Sequence, residues 1–240
     1  MKIIIADNYN ALSQIGADLV IDLLKTKKNA VLGLATGTTP IGLYQKLVEA
    51  YKQGVVSFKQ VKTVNLDEYV GIEKQNEQSY AYFMRKNLFD YVDIDLNNTH
   101  IPNGSAQNLQ KECIDYSLLL TKTRQDIQIL GLGSNGHIGF NEPFTAFDSK
   151  THLVKLSQQT INDNARLFES KNQVPTHAIT MGISEIMAAK RIILLASGKN
   201  KAKAVYDAIN GGVNAKCPAS VLSLHSNCTF ILDRESASML

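Results

Sequence analysis

The stretch "ILGLGSNGHIGFNEP", residues 129–143, places Gly131, Gly133 and Gly136 in the spacing G-x-G-x-x-G directly after an apolar run. A dinucleotide-binding fingerprint needs its third glycine to open a helix packed on the strand, and an acidic residue about 20 positions on, at the end of the next strand. Here Gly136 leads into "HIGFNEP", where Gly139 and Pro143 interrupt any long helix, and residues 150–160 contain no carboxylate. The cofactor reading weakens accordingly. What remains is a glycine-rich turn at the end of a strand, presenting Asn135, His137 and Glu142 within eight residues. A histidine oriented by an amide and a carboxylate can shuttle protons near neutral pH, because its partners set its tautomer and basicity. One His and one Glu without a second His at ligand spacing fall short of a metal site, so no metal is expected.

Outward from this turn, short apolar runs alternate with segments of helical period. Strands are expected at 2–6, 30–35, 61–66, 127–133, 152–156, 177–182, 191–196 and 228–233. Between them Leu12, Ile15, Leu19 and Leu23 share one helix face, Tyr44, Leu47, Val48 and Tyr51 a second, and Tyr80, Phe83, Met84, Leu88 and Tyr91 a third. This is the pattern of an α/β protein with a mostly parallel central sheet and helices on both faces. With no repeat and no Pro/Gly/Ser-rich linker, residues 1–240 read as one domain. The polar connection 157–176 is the expected mobile flap.

A 44% hydrophobic content against 20% charged residues is that of an ordinary globular chain. The net charge of +3, with dispersed Lys and Arg, excludes a nucleic-acid partner on composition and leaves room for a small anion. Cys113, Cys217 and Cys228 form no C-x-x-C pair and read as buried small hydrophobes. The apolar run at the N-terminus stops at Asp7, too short for a signal core or a membrane span, and a cytoplasmic protein is expected.

Ligands of such sheets bind beyond the carboxyl ends of the strands. After the second strand comes "TGTTP", where Thr39 suits an N-cap and Pro40 a first helical position; the turn reads either as an anion site or as simple capping. It lacks the Gly-Lys-Ser/Thr of a P-loop. Asp67 and Glu68 follow the third strand. Either they form a solvated turn, or one of them is a general base; neighbours in an extended chain point oppositely, so only one can face a given substrate atom. Arg166, in the polar connection, and Lys201, near a helix start, could each close on a phosphate or simply be solvated.

Taken together, "LGLATGTTPIGLYQKL", "NLDEYVG", "SYAYFMRKNLFD", "GLGSNGHIGFNEP" and "THAITMGISEIM" resemble the glucosamine-6-phosphate deaminase family, in order and over nearly all of the chain. The resemblance implies a Rossmann-like fold of the sugar-phosphate isomerase type. It implies reversible conversion of glucosamine 6-phosphate to fructose 6-phosphate and ammonium in amino-sugar catabolism, with no cofactor. By position Asp67 matches the family's enolisation base and His137 the group that moves the proton in ring opening, supported by Asn135 and Glu142. The phosphate is expected on Gly37, Thr38 and Thr39, closed by Arg166 and Lys201. Asn135 departs from the Asp carried by many members. The chain also stops at Leu240, before the C-terminal segment that longer members use for hexamers and allostery, so a non-allosteric monomer is expected. The alternatives are a 6-phosphogluconolactonase and a sugar-phosphate-sensing domain. No room for a helix-turn-helix precedes "KIIIAD", and a dinucleotide-dependent oxidoreductase is more distant still.

Overall fold

The computed structural model describes residues 1–165, 168 and 173–240. In chain order these form β1 (Lys2–Ala6), α1 (Tyr9–Thr26), β2 (Val31–Leu34), α2 (Ile41–Lys52), β3 (Lys62–Asn65), β4 (Asp67–Tyr69), α3 (Tyr80–Asn87), β5 (Thr99–His100) and α4 (Leu109–Lys122). There follow β6 (Ile127–Gly131), β7 (His152–Lys155), α5 (Gln158–Asn164), β8 (His177–Thr180), α6 (Ile183–Met187), β9 (Ile192–Ala196), α7 (Ala202–Asn210) and β10 (Cys228–Asp233).

The main sheet has the order β1-β10-β9-β6-β2-β3-β5 and every pairing in it is parallel. Its central strands are largely apolar because both faces are covered; all five residues of β9 and all six of β10 are buried. From β2 the chain runs outward through β3 to β5 on one side, whereas β6, β9 and β10 lie on the other. The order therefore reverses between β2 and β6, which opens a crevice at the carboxyl ends of those two strands.

Two expected strands leave this sheet. The run 152–156 and the run 177–182 form β7 and β8, which pair antiparallel with each other, and β4 joins the same small sheet against β8. The expected strand 61–66 thus ends at Asn65; after Leu66 the chain passes from the large sheet into the small one. Tyr69 and Phe140 pack there with Leu156 and Ala178 as a second, smaller apolar cluster. The third helical stripe also shortens. α3 ends at Asn87, and Tyr91 sits beyond it in a 3-10 turn, half exposed rather than in the core. The three cysteines are free and buried.

Asp126, just before β6, is buried and ties three segments together: Lys27 Nζ at 2.7 Å, Lys190 Nζ at 2.8 Å and the Val31 amide at 2.9 Å. Burial alone would raise its carboxyl, but these donors outweigh burial and hold it below the usual carboxylate range. Its contribution is present above the unfolded carboxylate range and lost as pH falls through the depressed folded value. Asp126→Ala is expected to destabilise by about 2–3 kcal/mol in urea unfolding at neutral pH, with the difference from wild type shrinking in acid. No helix among the described residues is long and apolar enough to cross a membrane.

Candidate active site at the strand ends

The crevice holds a cavity of about 190 Å³ lined by residues 35–39 after β2, by Leu66 and Asp67, by residues 131–134 after β6, and by His137, Gly139, Phe140, Tyr80, Thr160 and Lys201. Gly37, Thr38, Thr39, Asp67, His137 and Lys201 thus face one space although they are far apart in sequence. Arg166 lies outside the described residues. A larger hollow of about 790 Å³ between α3 and α4 contains none of the described catalytic or phosphate-binding candidates. Size alone does not locate the chemistry.

The 36–39 loop is set by two phenols. Tyr44, on α2, is fully buried; its hydroxyl donates to the Ala35 carbonyl at 2.6 Å and accepts from the Ala35 amide at 3.2 Å. The Tyr9 hydroxyl meets the carbonyls of Thr38 and Thr39, both at 3.1 Å, and accepts the Gly42 amide at 2.8 Å. Thr39 is therefore not the N-cap expected from sequence: the capping position falls on Pro40, which has no side chain to cap with, and Tyr9 takes one of the free amides instead. With the Thr38 and Thr39 carbonyls turned toward Tyr9, their hydroxyls and the loop amides are the groups available to an anion, beside Lys201.

Asp67 and Glu68 form no solvated turn. Both are buried, in β4, and the strand points them opposite ways. Glu68 accepts the amides of Tyr80 and Ala81, at 2.9 Å and 3.0 Å, and so caps the first turn of α3. Asp67 lines the cavity. Burial first, and the neighbouring Glu68 charge second, push its carboxyl up to about 8. Such a group can take and return a proton near neutral pH.

The glycine-rich turn brings Asn135, His137 and Glu142 together. Asn135 Nδ2 donates to Glu142 Oε2 at 2.7 Å, and Asn135 Oδ1 lies 2.7 Å from His137 Nδ1. A carboxylate only accepts, so the Asn135 NH₂ must face Glu142 and its oxygen must face the ring. His137 Nδ1 then carries the proton, and Nε2 is the ring nitrogen with a lone pair that can accept one from a substrate. Glu142 does not touch the ring closely; its Oε2 is 3.8 Å from Nδ1, with the amide bridging. Burial alone would raise the Glu142 carboxyl, but the Thr160 hydrogen bond, the His137 charge and the bonds from Asn135 and Ser157 hold it below the usual range.

The glycines answer to packing. A Cβ on Gly133 would lie 2.3 Å from His137 Cε1 and 2.4 Å from both ring nitrogens, so the ring occupies the space a side chain would need. Gly136 has φ +85°, the left-handed region that favours glycine. Tyr9, Ser157 and Thr160 lie in no quoted motif and meet the site's residues only through the fold, whereas Tyr80 and Ser134 lie within quoted stretches that do not by themselves mark them as cavity-lining. Among the described residues no three His, Cys, Asp or Glu side chains gather as a metal site requires.

A family model described as glucosamine-6-phosphate isomerases/6-phosphogluconolactonase matches residues 7–231. A glucosamine-6-phosphate deaminase of Clostridium novyi (strain NT) is 51% identical over 241 residues, covering 100% of both chains. Another, of Thermoanaerobacter sp. (strain X514), is 51% identical over 100% of this chain and 95% of its own. A solved monomeric glucosamine-6-phosphate deaminase superposes with a TM-score of 0.98 at 46% identity, with both chains covered in full. A 6-phosphogluconolactonase from Trypanosoma cruzi superposes with a TM-score of 0.78 at 20% identity, over 100% of this chain and 96% of the other, a likeness of fold alone. Matched by that model over most of its length, and half identical from end to end to curated deaminases, this chain belongs to the glucosamine-6-phosphate isomerase/6-phosphogluconolactonase family.

Proposed function

We propose that the protein is a glucosamine-6-phosphate deaminase, converting glucosamine 6-phosphate reversibly to fructose 6-phosphate and ammonium. The observation that carries this reading is the buried Asp67 carboxylate, pushed up to about 8 in the cavity that His137 also lines. Aldose–ketose isomerisation needs a base that removes a proton from carbon and returns it, and lactone hydrolysis has no such step. The near-half identity to deaminases over full length supports the same choice.

His137 Nε2 takes the C1 hydroxyl proton and delivers it to the ring oxygen, which opens the pyranose to the C1 aldehyde. Asp67 then removes the C2 proton, acidified by that aldehyde, and the enolamine formed is protonated at C1. Water adds to the resulting C2 ketimine and ammonia departs, leaving the ketose. The sugar's own carbonyl takes up the electrons, so the sequence of steps calls for no cofactor. The loop 37–39 and Lys201 hold the phosphate, with Arg166 from the flap. Anchoring that end fixes C1 and C2 against Asp67 and His137, which lowers the entropic share of the barrier. Residues 1–240 act as one domain, as a cytoplasmic monomer in amino-sugar breakdown.

The test is ammonium release from glucosamine 6-phosphate measured beside hydrolysis of 6-phosphogluconolactone. Deamination without lactone hydrolysis is expected; the reverse result sinks the proposal.

Asn135→Asp should move the acidic limb of the pH–rate profile upward. The added charge beside Nδ1 favours the imidazolium, and loss of the amide's bond to Glu142 raises that carboxyl, so both effects run the same way. An unchanged limb would show that the bridging amide does not tune the histidine.

A further inference from the structure

Glu142 is held from two sides. Its Oε2 accepts the Asn135 amide, on the turn after β6. Its Oε1 accepts hydroxyls from a different segment: Thr160 Oγ1, in a short contact, and Ser157 Oγ at 3.0 Å, both in the first turn of α5. Ser157 is also the N-cap of that helix, accepting the Thr160 amide at 3.1 Å, and its oxygen lies 3.0 Å from Thr160 Oγ1. A hydroxyl has one proton to give. Ser157 can direct its own at Glu142 Oε1 or at Thr160 Oγ1, and Thr160 Oγ1 donates to Glu142 Oε1. Thr160 is 2% exposed and also lines the catalytic cavity.

The geometry points to Thr160, with Ser157 behind it, as a positioning residue of the proton-transfer site: it fixes the Glu142 carboxylate so that Oε2 stays on Asn135 and Asn135 Oδ1 stays on His137 Nδ1. The inference rests on the assignment of His137 and Glu142 made above. Its physical content is a relay of hydrogen bonds. With Oε1 released, the carboxylate can rotate about its last torsion and Asn135 loses the acceptor on its NH₂ side; the longer bond from the His137 backbone amide to Asn135 Oδ1, at 3.2 Å, is then what orients the amide, and the hold on the ring tautomer slackens. A Thr160 that merely completed the first turn of α5 would do none of this, and its loss would be felt in stability alone.

Thr160→Val removes the hydroxyl and keeps the shape, and Thr160→Ser keeps the hydroxyl. We expect Thr160→Val to lower kcat about tenfold, the worth of one hydrogen bond to a charged group, with KM changed by less than about threefold. The acidic limb of its pH–rate profile should move to higher pH, because Glu142 loses a bond that favours its charged form. Thr160→Ser should recover most of kcat and the wild-type limb. A wild-type kcat and pH profile for Thr160→Val overturns the inference, as does equal damage in both variants with no movement of the limb. Glu142→Gln and His137→Gln run in parallel separate the levels. If these are fully active, the site assignment itself has failed; if they are impaired while Thr160→Val matches wild type, only the positioning role has.

Discussion

Asp67→Asn is expected to lower kcat for ammonium release by about 10²–10⁴-fold while making the protein harder to unfold. The first effect follows from removing the only side chain among the described residues that couples burial, cavity access and a carboxyl pushed up to about 8. The second follows from linkage. Unfolded, the carboxyl titrates at its ordinary value of 3.8; folded, at about 8. Between those values the native state holds a proton that the unfolded state has released, so this group costs stability progressively as pH rises through that window. Asparagine carries no such penalty. The melting temperature of the variant should exceed wild type by about 2–4 °C for each kcal/mol recovered, and the gap should widen from about pH 5 to about pH 8. Undiminished turnover would remove Asp67 as the base, and a gap that narrows with pH would contradict the raised carboxyl.

The second large effect is expected from a residue with no chemistry of its own. Gly133→Ala drives a methyl to within 2.3–2.4 Å of three His137 ring atoms, far inside contact distance. The ring must swing off Asn135 Oδ1, and a displacement of about 1 Å at a reacting group can cost about a hundredfold in kcat. The overpacking should also cost about 1–3 kcal/mol of stability. Gly131→Ala is the control, since a Cβ there meets nothing within 4 Å and stability should hardly change. Equal stability losses at the two positions would show that the turn needs glycine for its backbone rather than for the ring.

Much of the frame was legible because its signals are local. The apolar runs at 30–35, 127–133, 191–196 and 228–233 read as strands buried on both faces, and they are four of the five inner strands of the parallel sheet. The carboxyl ends of the runs at 30–35, 61–66 and 127–133 then located Gly37, Thr38, Thr39, Asp67 and His137 beside one cavity. The runs at 152–156 and 177–182 are strands as expected, but they pair antiparallel in the small sheet, since apolar periodicity does not say which sheet a strand joins. Thr39 as a cap failed for a related reason: the phenol of Tyr9, distant in the chain, accepts the Gly42 amide instead. Ser157 and Thr160 look like ordinary polar residues of a connection until the chain folds them onto Glu142. Arg166, read from the resemblance as a phosphate ligand, lies outside the described residues and stays a proposal.

The sequence by itself determined the α/β alternation, the parallel sheet and the strand ends at which chemistry is sought, because burial on both faces writes itself as largely apolar runs. Only the tertiary structure decided that the chain steps after Leu66 into a second sheet and buries Asp67 and Glu68, with Asp67 at the cavity. It alone also bridges His137 to Glu142 through an amide rather than by direct contact. A carboxyl's affinity for its proton is a sum over everything packed around it, and most of what surrounds Asp67 comes from residues distant in the chain.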